Sequence, residues 1–205
     1  MGLLLFYLPG IAWRRTAKKQ FSSHFPDDSA ELWLSTRAWR TRLAPSRPRH
    51  TSSVNLMMRH MEWGGALYRA VQEHGMSQAE AGSMVESIVA DIYQPVPATM
   101  FRLSRLRSSD HATRVEWLLL RVITRHFFTA PFIHRYLDVE DAVAYDVTRC
   151  PFADYFEEQG IPELTPHAAC NADYRAADEF GAFLIRTQTI ADGAGHCDFR
   201  WKTPA

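Results

Sequence analysis

The sequence predicts an α+β fold, an N-terminal helical part packed on a small antiparallel β-sheet with a C-terminal β-hairpin. Three observations carry this expectation. From about residue 53 to residue 137 the apolar residues recur at helical spacing. After Asp141 the period falls to two. The last two apolar runs are separated by Ala191–Gly195, which holds two glycines and suits a hairpin turn.

Taken in order, Leu3–Trp13 is apolar but short and is broken by Pro9 and Gly10. A spanning helix needs about 20 apolar residues, so this run does not span a membrane. Basic residues follow it, Arg14, Arg15, Lys18 and Lys19, which argues against a cleaved leader. Three readings stay open: a helix docking on the domain, a peripheral membrane contact, or a stretch upstream of a start at Met57, Met58 or Met61. The docking helix is preferred. Residues 1–52 are therefore set apart as an N-terminal extension, and 53–205 as a single domain. Arg40–Ser53 is rich in Arg, Pro and Ser and reads as a linker.

A helix is expected from Ser53 to about Gly75, and Gly75 suits its C-terminal turn. Ser77 and Glu80 form a capping box for the next helix. Met84, Ile88 and Ile92, widened by Val85 and Val89, give that helix its apolar face. Pro95 and Pro97 are expected to end it. Asp110 caps a long helix to about Phe128, with Val115, Leu118, Leu119, Val122 and Ile123 inward. The aromatic stretch Thr124–Tyr136 reads as core or as a pocket wall. Ala142–Cys150 is a strand with Val143, Tyr145 and Val147 on one face. A short helix follows over Phe152–Gln159, then a longer one from an N-cap at Thr165 to Gly181. Phe183–Ile190 and Cys197–Lys202 are the final strands.

Net charge is formally zero, yet residues 1–50 hold nine Lys and Arg against three acids, and the remainder is acidic. No nucleic-acid motif accompanies the basic part, and a nucleic-acid partner is excluded on this ground. The chain has three cysteines, an odd number and widely spaced, so a reduced, cytoplasmic protein is expected.

Those cysteines, Cys150, Cys170 and Cys197, lie in the richest segments for chemistry. Cys170 falls near the start of its helix, with His167 at i−3 and Asp173 at i+3. That spacing allows a nucleophile with an imidazole and a carboxylate in reach. A small cysteine on an alanine-rich face is also an ordinary packing residue. Cys197 shares its strand face with Phe199 and Trp201, either as core or as pocket lining. Cys150 ends a strand before Pro151. Arg186, mid-strand among Leu184, Gln188 and Ile190, is either on a solvated face or a planar fork for a carboxylate, and the solvated face is preferred. A three-thiolate metal site completed by Asp or His is a minority reading, since gaps of nineteen and twenty-six residues are not diagnostic. No cofactor is expected.

The order of a CPFxDYF segment, a CNxDY helix segment, an RTxTIAxG strand and a terminal CDFR strand resembles the L-2-amino-thiazoline-4-carboxylic acid hydrolase family. The match is most specific from Tyr145 to Trp201. It rests on Cys150, Pro151, Asp154, Cys170, Asp173, Arg186, Thr187, Thr189, Gly193, Cys197, Asp198 and Phe199. The resemblance implies hydrolytic opening of a cyclic isothiourea bearing a carboxylate, toward a carbamoyl-cysteine. It makes Cys170, Asp173, Cys197 and Cys150 the candidate catalytic residues. Arg186, Asp198 and Thr187 become candidates for holding the small-molecule substrate. The C-terminal pattern is also faintly similar to ligand-binding domains of the 4-vinyl-reductase type, so a non-catalytic module that binds a small ligand or a metal is the rival reading.

Overall fold

The computed structural model describes residues 6–44, 52–140 and 142–204. Its helices are α1 (Pro9–His24), α2 (Ser29–Leu43), α3 (Ser52–Glu73), α4 (Gln78–Tyr93) and α5 (Pro95–Leu103). Next comes α6 (His111–Trp117), which continues as a π-helix over Leu118–Phe127. The strands β1 (Ile133–Leu137) and β2 (Val143–Arg149) follow, then α7 (Pro151–Glu158). A π turn over Pro166–Cys170 leads into α8 (Asn171–Phe180). The chain closes with β3 (Phe183–Ile185) and β4 (Cys197–Lys202). The sheet order is β1-β2-β4-β3, antiparallel throughout, and the fold is α+β as the periodicities predict.

Helix α3 is the centre of the helical layer. Its residues from Met57 to Leu67 are buried almost all round, with Arg59 as the exception, because neighbours cover it on several sides. Helix α1 docks on it through Ala12, Trp13, Ala17 and Phe21, all buried. A Cβ on Gly64 would stand 3.4 Å from the Trp13 ring, so the indole packs closely against the backbone of α3 there. The Trp13 Nε1–H donates to His60 Nδ1 at 3.1 Å, and His60 Nε2 donates to the Phe6 carbonyl at 2.9 Å. Both nitrogens are thus committed in the neutral ring. No described helix is long and apolar enough to cross a membrane.

Several local expectations hold. The Ser77–Glu80 capping box is closed in both directions. Asp110 accepts from the Thr113 amide, and Gly75 and Gly181 take positive φ after their helices. Others need correcting. Pro95 and Pro97 do not simply end a helix. Gln94 keeps αR backbone, and the prolines occupy the first turn of α5, where a missing N–H costs nothing. Strand β1 arises in the aromatic stretch that periodicity assigned to core or pocket wall. The strand expected over Phe183–Ile190 stops at Ile185. Beyond it the Thr187 and Gln188 amides bond to the Asp198 carboxylate rather than to a neighbouring strand. Of the linker expected at 40–53, residues 40–43 belong to α2, 52 and 53 to α3, and 45–51 lie outside the described residues.

Burial holds the His60 pKa down to about 4, against the opposing effect of its bond to Phe6. A folded-state value below the unfolded 6.5 means that the unfolded chain binds the extra proton first. Stability from this group is therefore full above pH 6.5 and is lost as pH falls toward 4. Urea titrations across that window should show a loss on the order of 3 kcal/mol from this site. The His60→Gln variant should show a correspondingly flatter pH dependence.

Candidate functional site

The site forms where α8 and the Pro166–Cys170 turn meet the inner face of the sheet. Strand alternation places Val143, Tyr145 and Val147 of β2 on that face. Register sets them opposite Trp201, Phe199 and Cys197 of β4. The Tyr145 and Phe199 rings stack at 4.9 Å, and Trp201 Nε1 donates to the Tyr145 hydroxyl at 3.2 Å. Phe180 of α8 packs on Trp201. The apolar groups of β2 and β4 form the inner face of the sheet.

An ion pair lies against this face. Arg186 leaves the end of β3 and turns inward, so that only 2% of its side chain is exposed. The preferred solvated face is thus corrected in favour of the planar fork for a carboxylate. Arg186 keeps the alternation of β3, since Leu184 pairs with Trp201 on the inner face and Arg186, two residues on, lies on that same side. Its guanidinium sits over Phe199 at 5.1 Å and Tyr174 at 4.9 Å. Nη1 donates to Asp173 Oδ2 at 2.8 Å, and Nη2 donates to the Cys170 carbonyl at 2.9 Å. Its buried Nε has no hydrogen-bond partner among the described residues. For Asp173, burial raises the carboxyl above its ordinary range, and the neighbouring Arg186 offsets only part of that rise.

Cys170 and Cys197 flank this pair, and Cys150 lies near both of them. Cys150 precedes α7, Cys170 ends the π turn, and Cys197 opens β4 with its sulfur accepting from the Ile190 amide at 3.2 Å. They are near enough to one another for their charges to interact, and Cys170 and Cys197 also feel Asp173 and Arg186. Although Cys150 and Cys170 keep some surface, crowding by neighbouring atoms dominates. Burial pushes Cys150 up to about 12 and raises Cys170 and Cys197 as well. All three are neutral thiols at neutral pH, poor nucleophiles and poor metal ligands in that state. Among the described residues no group of three or more His, Cys, Asp or Glu side chains is arranged to hold a metal.

The remaining candidates lie elsewhere. Asp198 points to the opposite face of β4, where its carboxylate accepts from the Thr187 amide, the Thr187 hydroxyl and the Gln188 amide. Burial alone would raise it, but these bonds outweigh burial and hold it below the ordinary range. Thr187 and Asp198 thus bond to each other and shape the turn after β3. His167 is bonded to Glu86 of α4 at 2.8 Å, which also accepts from Asn171. The π turn alters the i, i+3 relation that would align His167 with Cys170 in an α-helix. A Cβ on Gly82 would meet the His167 ring at 2.8 Å, so this contact requires glycine in α4.

Asp173 also faces a cavity of about 150 Å³, and 27% of its side chain is exposed. The wall is otherwise mostly apolar, with Phe6, Met57, Met100, Phe128 and Phe152 among its residues. Tyr93 and Arg175 also line it, and the cysteines stand outside that lining. Arg175 is exposed, and Tyr93 presents a buried hydroxyl with no partner among the described residues. Sequence periodicity singles out none of Phe6, Tyr93 and Arg175. Each is unremarkable until distant helices meet.

Fold and site together define an α+β protein with a small cavity and a carboxyl group, backed by a buried arginine, on its wall. The L-2-amino-thiazoline-4-carboxylic acid hydrolase family matches residues 55–201, and the chain belongs to this family. A search of curated proteins found no match.

The raised thiols make a chemical prediction. At pH 7 the folded protein should react with iodoacetamide at Cys150, Cys170 and Cys197 at least about 100-fold more slowly than the urea-unfolded chain. Peptide mapping of alkylated sites against time measures it.

Proposed function

We propose that the chain hydrolyses a small cyclic amidine carrying a carboxylate, with Asp173 as the general acid and water as the nucleophile. The observation that supports this most is the position of Asp173. It is a carboxyl with a raised pKa, held by Arg186, on the wall of an apolar cavity. A carboxyl whose pKa is raised is a better proton donor to an amidine nitrogen, and protonation there makes the central carbon more electrophilic.

In this reading the oxygen of water bonds to carbon 2 of the thiazoline ring, and the ring carbon–nitrogen bond breaks. The proton lost by the water returns through Asp173 to the departing nitrogen, so the product is a carbamoyl-cysteine. Arg186 acts as a positioning residue, since its guanidinium is committed to Asp173 and to the Cys170 carbonyl. Arg175, exposed at the cavity, meets the substrate carboxylate. The thiols fill space around the ion pair. The absence of any described helix suited to crossing a membrane is compatible with a cytoplasmic setting.

The test is incubation with L-2-amino-thiazoline-4-carboxylate, following ring loss and carbamoyl-cysteine formation together. Asp173→Asn should lower kcat by about 100-fold or more. Cys170→Ala and Cys197→Ala should each stay within about threefold of the parent, because a neutral buried thiol is not the attacking group. A loss as large as that of Asp173→Asn in either variant would reinstate the thiolate route. Arg175→Ala should raise KM about tenfold or more with kcat nearly unchanged, the pattern of a lost ground-state contact. Binding without turnover would favour the rival reading as a ligand-binding module.

A further inference from the structure

The cavity wall includes a residue from outside the span that the family matches. Phe6 is 2% exposed, and its ring packs against His60 at 5.1 Å and Tyr93 at 5.2 Å. Its carbonyl is held by His60, whose other nitrogen is held by Trp13 of α1. Phe6 is therefore fixed on two sides, and it lines the same cavity as Asp173. The cavity is far more apolar than a bare aminothiazoline carboxylate requires. Apart from Asp173, the lining residue Tyr93 carries a buried hydroxyl that is unpartnered among the described residues.

We propose that Phe6 is a specificity-determining residue, the end wall of a site for amidines with an apolar ring or substituent. The amidinium meets Asp173 and the apolar body extends toward Phe6. Only the head-group assignment rests on the hydrolytic reading above. The size limit rests on the packing of Phe6. An amidinium with a single aromatic ring fits against the wall, whereas a fused second ring collides with the Phe6 side chain. A hydrophobic pocket discriminates modestly for each added group and more sharply where a rigid wall blocks it.

Calorimetric titration of the full chain with benzamidine and with 2-naphthamidine tests this. The parent should bind benzamidine at least about tenfold more tightly than 2-naphthamidine. Phe6→Ala should gain at least about tenfold for 2-naphthamidine and close or reverse that gap. Phe6→Leu, a milder change that keeps an apolar packing residue, should move the ratio the same way by less, and it serves if Phe6→Ala does not melt cooperatively. An unchanged ratio in the folded variants overturns the proposal, as does failure of the parent to bind either amidine. Turnover of L-2-amino-thiazoline-4-carboxylate is measured separately on the parent. Its absence, with a Phe6-dependent binding ratio intact, would sink the reaction and leave the size limit standing. Turnover with a ratio insensitive to Phe6 would do the reverse.

Discussion

The Asp173–Arg186 pair is the interaction around which the C-terminal half is arranged. A guanidinium at 2% exposure is tolerable only because a carboxylate, a backbone carbonyl and two aromatic faces receive it. The carboxylate comes from α8, the carbonyl from the π turn, one ring from β4 and the arginine from the end of β3. Each supplier is therefore fixed relative to the others. Removing either charge would leave its partner buried and uncompensated, a more serious change than losing a surface pair.

The two faces of the sheet solve different electrostatic problems. On the inner face one ion pair is shielded by rings and thiols. On the outer face Asp146 and Asp198 stand directly opposite across β2 and β4. Like charges at that spacing repel. Here each is occupied elsewhere, Asp146 by Arg200 and Arg135, and Asp198 by Thr187 and the Gln188 amide. Of the outer carboxylates Asp146 ties three strands together and Asp198 shapes the turn after β3, while the inner one faces the cavity.

Much of the fold was legible in the sequence because its signals are local. The capping box at Ser77, the cap at Asp110 and the inward set Cys197, Phe199 and Trp201 depend on residues a few positions apart. Strand β1 was not legible, since Ile133–Leu137 has exposed and half-buried residues without clean alternation. The convergence of Cys150, Cys170, Cys197, Asp173 and Arg186 was accessible only through motif resemblance. Arg186 shares the inner face of Leu184, but the carboxylate that makes its burial tolerable comes from α8, which no strand pattern records. The cavity was least legible of all. Phe6, Tyr93 and Arg175 belong to different helices or their flanks, and no short pattern records that their side chains share one space.

Gly82 has a mechanical consequence for the chemistry. The imidazole of His167 lies against the bare backbone of α4, with no room for even a methyl group between them. His167 belongs to the same short turn as Cys170, whose carbonyl anchors Arg186. The thickness of one aromatic ring therefore sets the distance from α4 to the turn, and through Arg186 it sets the aim of the acid. A helix that touches no reacting atom acts as the ruler against which the site is measured.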